Sequence, residues 1–182
     1  YEKEIGLLKL NTGVRTEYNV FTIGTADFSG QKVNVQREYL DFLPSLNLTY
    51  SATEKTKWRT SLSKTLARPE FREVANFAYY DFVRNAQLLG NKDLEKSDIY
   101  NVDFKWELYP NAGEIFSVGV FGKKFIKPIE QIVADGSVPS NLALTYTNPP
   151  SAIVYGLEME FRKSLNSWLD LYSNMALIQS EV

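Results

Sequence analysis

The side chains best placed to do chemistry are carboxylates, guanidinium groups and phenols, because this chain of 182 residues contains neither histidine nor cysteine. Thiolate chemistry, histidine proton relays, disulfides and most zinc sites are therefore excluded. Glu158 and Glu160 are two carboxylates at strand spacing on one face. Such a pair sits about 6.5 to 7 Å apart, in the range of a glycosidase couple, but no opposing wall carries a partner. The reading they favour is surface charge that pairs with Arg162, with Lys105 or with a residue of another segment, and no catalytic set is assigned. Lys105 and Glu107 fall on a second strand with the same kind of polar face. Arg68 with Glu70 and Glu73 could clamp a ligand, although a loop anchor at a strand exit fits those positions better. Tyr79, Tyr80, Phe82 and Arg84 form an aromatic and cationic cluster suited to sugars, haem-like rings or peptides, or else to packing a loop onto its neighbours. Asp27, Asp81, Asp93 and Asp98 are potential calcium ligands without the spacing of a calcium loop. No metal site and no cofactor is expected.

The elements that must hold these residues are strands. From Trp58 every second residue reads Trp58, Thr60, Leu62, Lys64, Leu66, with Arg59, Ser61, Ser63 and Thr65 between them. Side chains alternate across a pleated strand, so this is one greasy and one wet face. The pattern stops at Ala67, because Pro69 lacks an amide donor and holds Arg68 extended. Residues 98–109 alternate most cleanly, with Tyr100, Val102, Phe104, Trp106 and Leu108 against Asn101, Asp103, Lys105 and Glu107. Similar patterns run over 5–18, over a stretch ending near Ser51, and over 115–124, 152–163 and 168–178. Pro44 lies inside the second of these and marks an edge or a bulge. No helical period of useful length appears, although one or two helical turns are possible within 71–82. The expected fold is all-β: an antiparallel meander of about seven strands in one domain, residues 1–182.

Connections alternate in length. Those at 52–56, 110–114 and 164–167 are short, while loops are expected near 20–32, 67–97 and 127–151. A meander puts alternate turns at one end, so short turns share one rim and long loops the other, which is the asymmetry of membrane β-barrels. A strand of about ten residues tilted by ~40° covers roughly 25 Å, the height of a barrel's apolar band. Trp58, Trp106, Tyr109, Phe116, Phe161 and Trp168 cluster near the short-turn ends, where an interfacial aromatic girdle would sit. No run is long enough for a membrane helix. With 20 basic and 22 acidic residues intermixed and a net charge of −2, the chain has no field of one sign with which to hold nucleic acid. The same alternation also suits a soluble β-sandwich that binds or adheres, in which the apolar faces meet each other across a core.

The runs LNTGVRTEYN (10–19), YLDFLPSLNLTY (39–50), SLSKTLARPEFRE (61–73), YNVDFKWELYPNAGEIFSVGVFGKKFIKPIEQ (100–131) and VYGLEMEFRKSL (154–165) resemble the C-terminal half of the barrel of TonB-dependent outer-membrane receptors of Bacteroidetes-like bacteria. The resemblance covers nearly the whole chain. It implies residence in the bacterial outer membrane, a parent barrel of 22 strands around a plug domain, and import of a scarce nutrient (siderophore, haem, glycan or peptide) driven by the TonB complex. Lys105, Glu107, Glu158, Glu160 and Arg162 would then face the lumen, and the opposite face would meet outer-membrane lipid. The plug, the TonB-contacting segment and a signal peptide do not occur within these residues, and the chain begins at Tyr1, so a piece of a longer protein is expected. Seven strands cannot close a barrel.

Overall fold

The computed structural model describes residues 1–26, 30–75, 77–138 and 142–182. Eight strands form one antiparallel meander: β1 (Glu2–Ile5), β2 (Leu8–Ala26), β3 (Lys32–Ser51), β4 (Thr56–Ala67), β7 (Ser97–Leu108), β8 (Ile115–Ile126), β11 (Ser151–Asn166) and β12 (Leu169–Glu181). The sheet is open, with β1 and β12 at its edges. Residues 68–96 contain one helical turn, α1 (Phe71–Val74), and strands β5 (Ala78–Asp81) and β6 (Ala86–Leu89). Residues 127–150 contain β9 (Glu130–Val133) and β10 (Ala143–Thr147).

The register explains the two faces. Leu48, Thr60, Phe104, Val120, Leu157 and Leu177 lie in one cross-strand row, and Tyr50, Trp58, Trp106, Val118, Met159 and Met175 in the next. A one-residue slip would turn every one of them to the polar side, so the alternation read in the sequence and the pairing support each other. At the short-turn end Trp58 stacks on Phe104 at 5.4 Å and touches Trp106 at 6.2 Å. Trp106 meets Phe116 edge-on at 5.7 Å, and Phe116 meets Phe161 at 6.3 Å. Four of the six expected girdle aromatics thus form a continuous band. Tyr109 instead turns to the charged face, where its hydroxyl donates to Glu107, and Trp168 is exposed in the β11–β12 turn.

Three expectations are corrected. The strand expected to start at Ile5 is a hairpin, since Gly6 turns with φ +60 and Glu2–Ile5 pairs back on β2, giving eight strands where about seven were read. The stretch near 20–32 is mostly paired strand: Val20 to Ala26 face Lys32 to Glu38 in register. Gly24, Asp27 and Gly30 suggested a loop there because glycine and aspartate disfavour strands locally, but the ladder runs through Gly24 as far as the Ala26–Lys32 pair; Gly30, with φ +83, lies beyond it, and Asp27 lies outside the described residues. The excursions at 67–97 and 127–151 are not irregular. They share a second sheet in the order β5, β6, β10, β9, with Ala143 and Leu144 parallel to Gln87 and Leu88.

Pro44 marks the place where the meander divides. The last β3–β4 partners are Ser45 and Ser63, so Pro44 lies just beyond that ladder, and above it β3 pairs only with β2. The tall β2–β3 hairpin leans against the excursions instead. Ile23, Val74 and Leu94 form a buried cluster with Phe21, Val35, Ile129 and Tyr146 packed around it. Val74, Ala86, Leu88 and Leu94 are the most deeply buried apolar side chains, and all belong to the excursions. Among the described residues the apolar face of the main sheet has no such cover: Val102 is 47% exposed and Phe104 44%.

Candidate functional site

Two surfaces carry the residues singled out from sequence. The first is the polar face of the wall. Arg59 Nε lies 2.8 Å from Glu107, which also accepts the Tyr109 hydroxyl at 2.9 Å. Lys105 bridges the strands, with Nζ 3.7 Å from Glu107 and 3.8 Å from Glu160. Arg162 is 3.6 Å from Glu160 and stacks over Tyr172, 5.2 Å from the ring centre. Glu107, Ser117 and Glu160 occupy one cross-strand row, and Ser117 is buried between the two carboxylates. In the neighbouring row Gly119 separates Lys105 from Glu158. A Cβ at Gly119 would come within 3.4 Å of Lys105 Cγ, so the missing side chain gives the lysine stem room to cross. The four groups Lys105, Glu107, Glu160 and Arg162 therefore join one lattice. Glu158 stands exposed beside it with no ion-pair partner among the described residues. Arg59 completes the lattice, and Ser117 sits within it with its buried hydroxyl unpaired among the described residues. Cross-strand register was the only signal for them, and it emerges once β4, β7 and β8 are aligned.

The second surface is the platform built by the excursions, and a charge cluster fastens it to the wall. Arg68 donates to Glu17 and Asp41, both at 2.8 Å, and not to Glu70 or Glu73. Glu73 instead accepts the Glu70 amide at 2.8 Å, closing a capping box on α1. Asp41 is only 2% exposed and also receives Lys96, which in turn reaches Asp98 at 3.3 Å. Arg68 leaves the wall after β4 and Lys96 re-enters it before β7, so Asp41 holds both ends of the excursion. The two excursions are also tied to each other. Asn148 accepts the Glu95 amide at 2.7 Å and donates to the Lys127 carbonyl at 2.9 Å, and Lys127 pairs with Glu95 at 2.7 Å.

The four aromatic and cationic candidates separate on this platform. Tyr79 turns inward: it touches Phe77, sits under Arg72 and meets Tyr146. Burial, followed by that hydrogen bond to Tyr79, pushes the Tyr146 phenol up to about 12. Tyr80, Phe82 and Arg84 stay together at the β5–β6 turn. Tyr80 and Phe82 pack edge-to-face at 5.0 Å, and Phe82 is 87% exposed. Asp81 accepts the Val83 and Arg84 amides at 2.9 and 3.1 Å, and Tyr80 donates to Asn85 at 2.5 Å. Arg84 reaches Gln131 of β9 at 3.1 Å. The result is a rigid polar frame presenting an apolar tip. Asp81, Asp93 and Asp98 are thus engaged in separate places, and Asp27 lies outside the described residues. Among the described residues no cluster of three acidic groups could hold a metal ion.

The sequence profile of the outer membrane protein beta-barrel family matches residues 1–182. The chain belongs to that family. Its meander also superposes on solved receptors. The siderophore receptor PirA of Pseudomonas aeruginosa aligns with TM-score 0.67 and 14% identity, over 95% of this chain and 34% of that one. A variant of the ferric enterobactin receptor PfeA of the same species, in complex with enterobactin, aligns with TM-score 0.68 and 16% identity, over 97% and 25%. The FrpB iron transporter of Neisseria meningitidis gives 0.65 and 13%, over 98% and 25%. No curated protein matches the chain in sequence. The chain spans a quarter to a third of the length of these receptors. It is a segment of an outer-membrane β-barrel, as its likeness to TonB-dependent receptor barrels implied. The β-sandwich alternative lacks its second layer, since the only other sheet among the described residues packs on the tall hairpin and not on the apolar face.

Proposed function

We propose that this chain is a wall segment of a TonB-dependent receptor that takes up a scarce nutrient into the periplasm. The observation that carries the proposal is the inverted distribution of burial. Deeply buried apolar side chains lie in the excursions at one rim, whereas the apolar rows of the wall are open. Acyl chains are the medium that such a face fits. The ion-paired face carrying Lys105, Glu107, Glu158, Glu160 and Arg162 lines the lumen, where a plug domain and the remaining strands of the parent barrel would complete it. The platform lies outside the cell, and its Tyr80, Phe82 and Arg84 tip meets the ligand before it enters. Siderophores, haem, glycans and peptides all offer flat or ring-shaped surfaces that such a tip could stack against. The TonB complex would engage a part of the parent protein outside these residues.

The test is detergent dependence of the full-length protein. It is expected to remain dispersed only in micelles or bilayers; a monodisperse preparation without detergent would overturn the proposal. For the platform, Tyr80→Ala with Phe82→Ala is expected to weaken ligand binding about tenfold or more while leaving the protein in the membrane. Unchanged binding would remove the tip from the entry path.

A further inference from the structure

On the apolar face of the wall, where β3 parts from β4, lies an open groove of about 640 Å³. Leu46, Leu62, Val102 and Ile153 line it, and Gly122 forms its floor. A Cβ at Gly122 would come within 3.2 Å of Val102 Cγ1, so a larger residue there would fill the depression. Lys64, Tyr100, Lys124 and Ile153 form one cross-strand row at its loop-side end. The two lysines stand two strands apart, about 10 Å between their Cα atoms. Lys64 Nζ lies 3.2 Å from Asp98 and 5.7 Å from the centre of the Tyr100 ring. Lys124 has no ionic partner among the described residues and is exposed.

Height matters here. Between Phe116 in the aromatic band and Lys124 the strand climbs roughly 20 Å, which puts the lysine row near the upper boundary of an apolar band ~25 Å tall. An unpaired ammonium at that depth is stabilised by an anion, and the apolar channel running below it is shaped for a hydrocarbon chain. We propose that this groove binds a single phosphate-bearing lipid, with one acyl chain over Gly122 and the phosphate between Lys64 and Lys124. Tyr100 lies between the two cations and offers its hydroxyl to the same headgroup. The proposal rests on the membrane-wall reading above, and it adds a defined lipid at a defined place.

The experiment is native mass spectrometry of the full-length protein, delipidated in neutral detergent and offered either phosphatidic acid or phosphatidylcholine of the same chain length. One phosphatidic acid is expected to stay bound with at least tenfold preference. Lys124→Gln is expected to lower that retention about tenfold. Gly122→Leu is expected to reduce it for either lipid by blocking the channel. Lys163→Gln, at the opposite rim of the same strands, is expected to change nothing. Equal retention of both lipids, no effect of Lys124→Gln, or an equal effect of Lys163→Gln would each overturn the site. If the protein needs detergent but shows no preference, only this site fails; if it needs no detergent, the wall reading fails first.

Discussion

Replacing Gly90 by alanine is expected to detach the platform from its own support without disturbing the wall. Gly90 follows β6 and lies against the end of α1. A Cβ built there would sit 1.9 Å from the Ala75 carbonyl oxygen, 2.8 Å from its carbon and 3.0 Å from the Arg72 carbonyl oxygen. All three atoms are backbone, so no side chain can swing aside, and the gap must open by about 1.5 Å to reach an ordinary contact. Opening it separates α1 from β6 where Val74, Ala86 and Leu88 are buried. Overpacking of a tight core costs about 1 to 3 kcal/mol, and a clash with backbone belongs at the upper end of that range. Since 1.4 kcal/mol is about tenfold in an equilibrium, local opening of the platform should rise about 5- to 150-fold. Hydrogen exchange of the full-length protein in micelles reads this directly. Amides of 71–91 and 143–147 should exchange faster in the variant, while those of β7, β8 and β11 keep their protection. Unchanged exchange in 71–91, or faster exchange spread evenly over the wall, would refute the reasoning.

Arg68→Met leaves Asp41 buried with Lys96 alone and removes the bond to Glu17. A loss of about 1 to 3 kcal/mol in local stability is expected, read as faster proteolytic nicking within 68–96 and not in the wall. Tyr146 should show itself in an alkaline titration followed by phenolate absorbance. Its folded-state value, about 12, lies above the ~10 of a free phenol, so its contribution to platform stability is complete below pH ~10 and is lost as pH rises toward 12. Tyr146 should therefore ionise late, and Tyr146→Phe should remove one phenol from the late part of the titration; a titration with no late step in the native protein would contradict the burial. Phe104→Lys should destabilise the barrel in bilayers by roughly 2 to 4 kcal/mol, whereas Asp103→Lys, on the opposite face of the same strand, should cost less than about 1 kcal/mol. Equal costs in chemical denaturation would mean that the two faces share one environment.

Much of the wall was legible because its information is local. Alternation alone placed β4, β7 and β8 within a residue or two of their observed ends and β11 within three, and a proline and short polar turns marked where they stop. The upper half of the β2–β3 hairpin was not legible, since glycines and an aspartate weaken its pattern and only the partner strand holds it extended. The platform was missed for a different reason. Its strands are four or five residues long, too short for a period to show, and its sheet joins segments far apart in the chain. The same holds for the anchor. Arg68 was recognisable as a residue at a strand exit, but Glu17 and Asp41, its partners, lie 51 and 27 positions away. Of the candidate contacts, the wall charges were readable from face alternation, whereas the separation of Tyr79 from Tyr80, Phe82 and Arg84 follows from pairing within a sheet that no local pattern announces.

The account turns on the medium that touches the open apolar rows. Single cysteines introduced at Asn101, Val102, Asp103 and Phe104 in the full-length protein, each carrying an environment-sensitive fluorophore, can be placed in bilayers whose acyl chains bear bromine. Quenching at Val102 and Phe104, with none at Asn101 and Asp103, is the predicted result. Quenching of all four alike, or of the Asn101 and Asp103 positions alone, would contradict it.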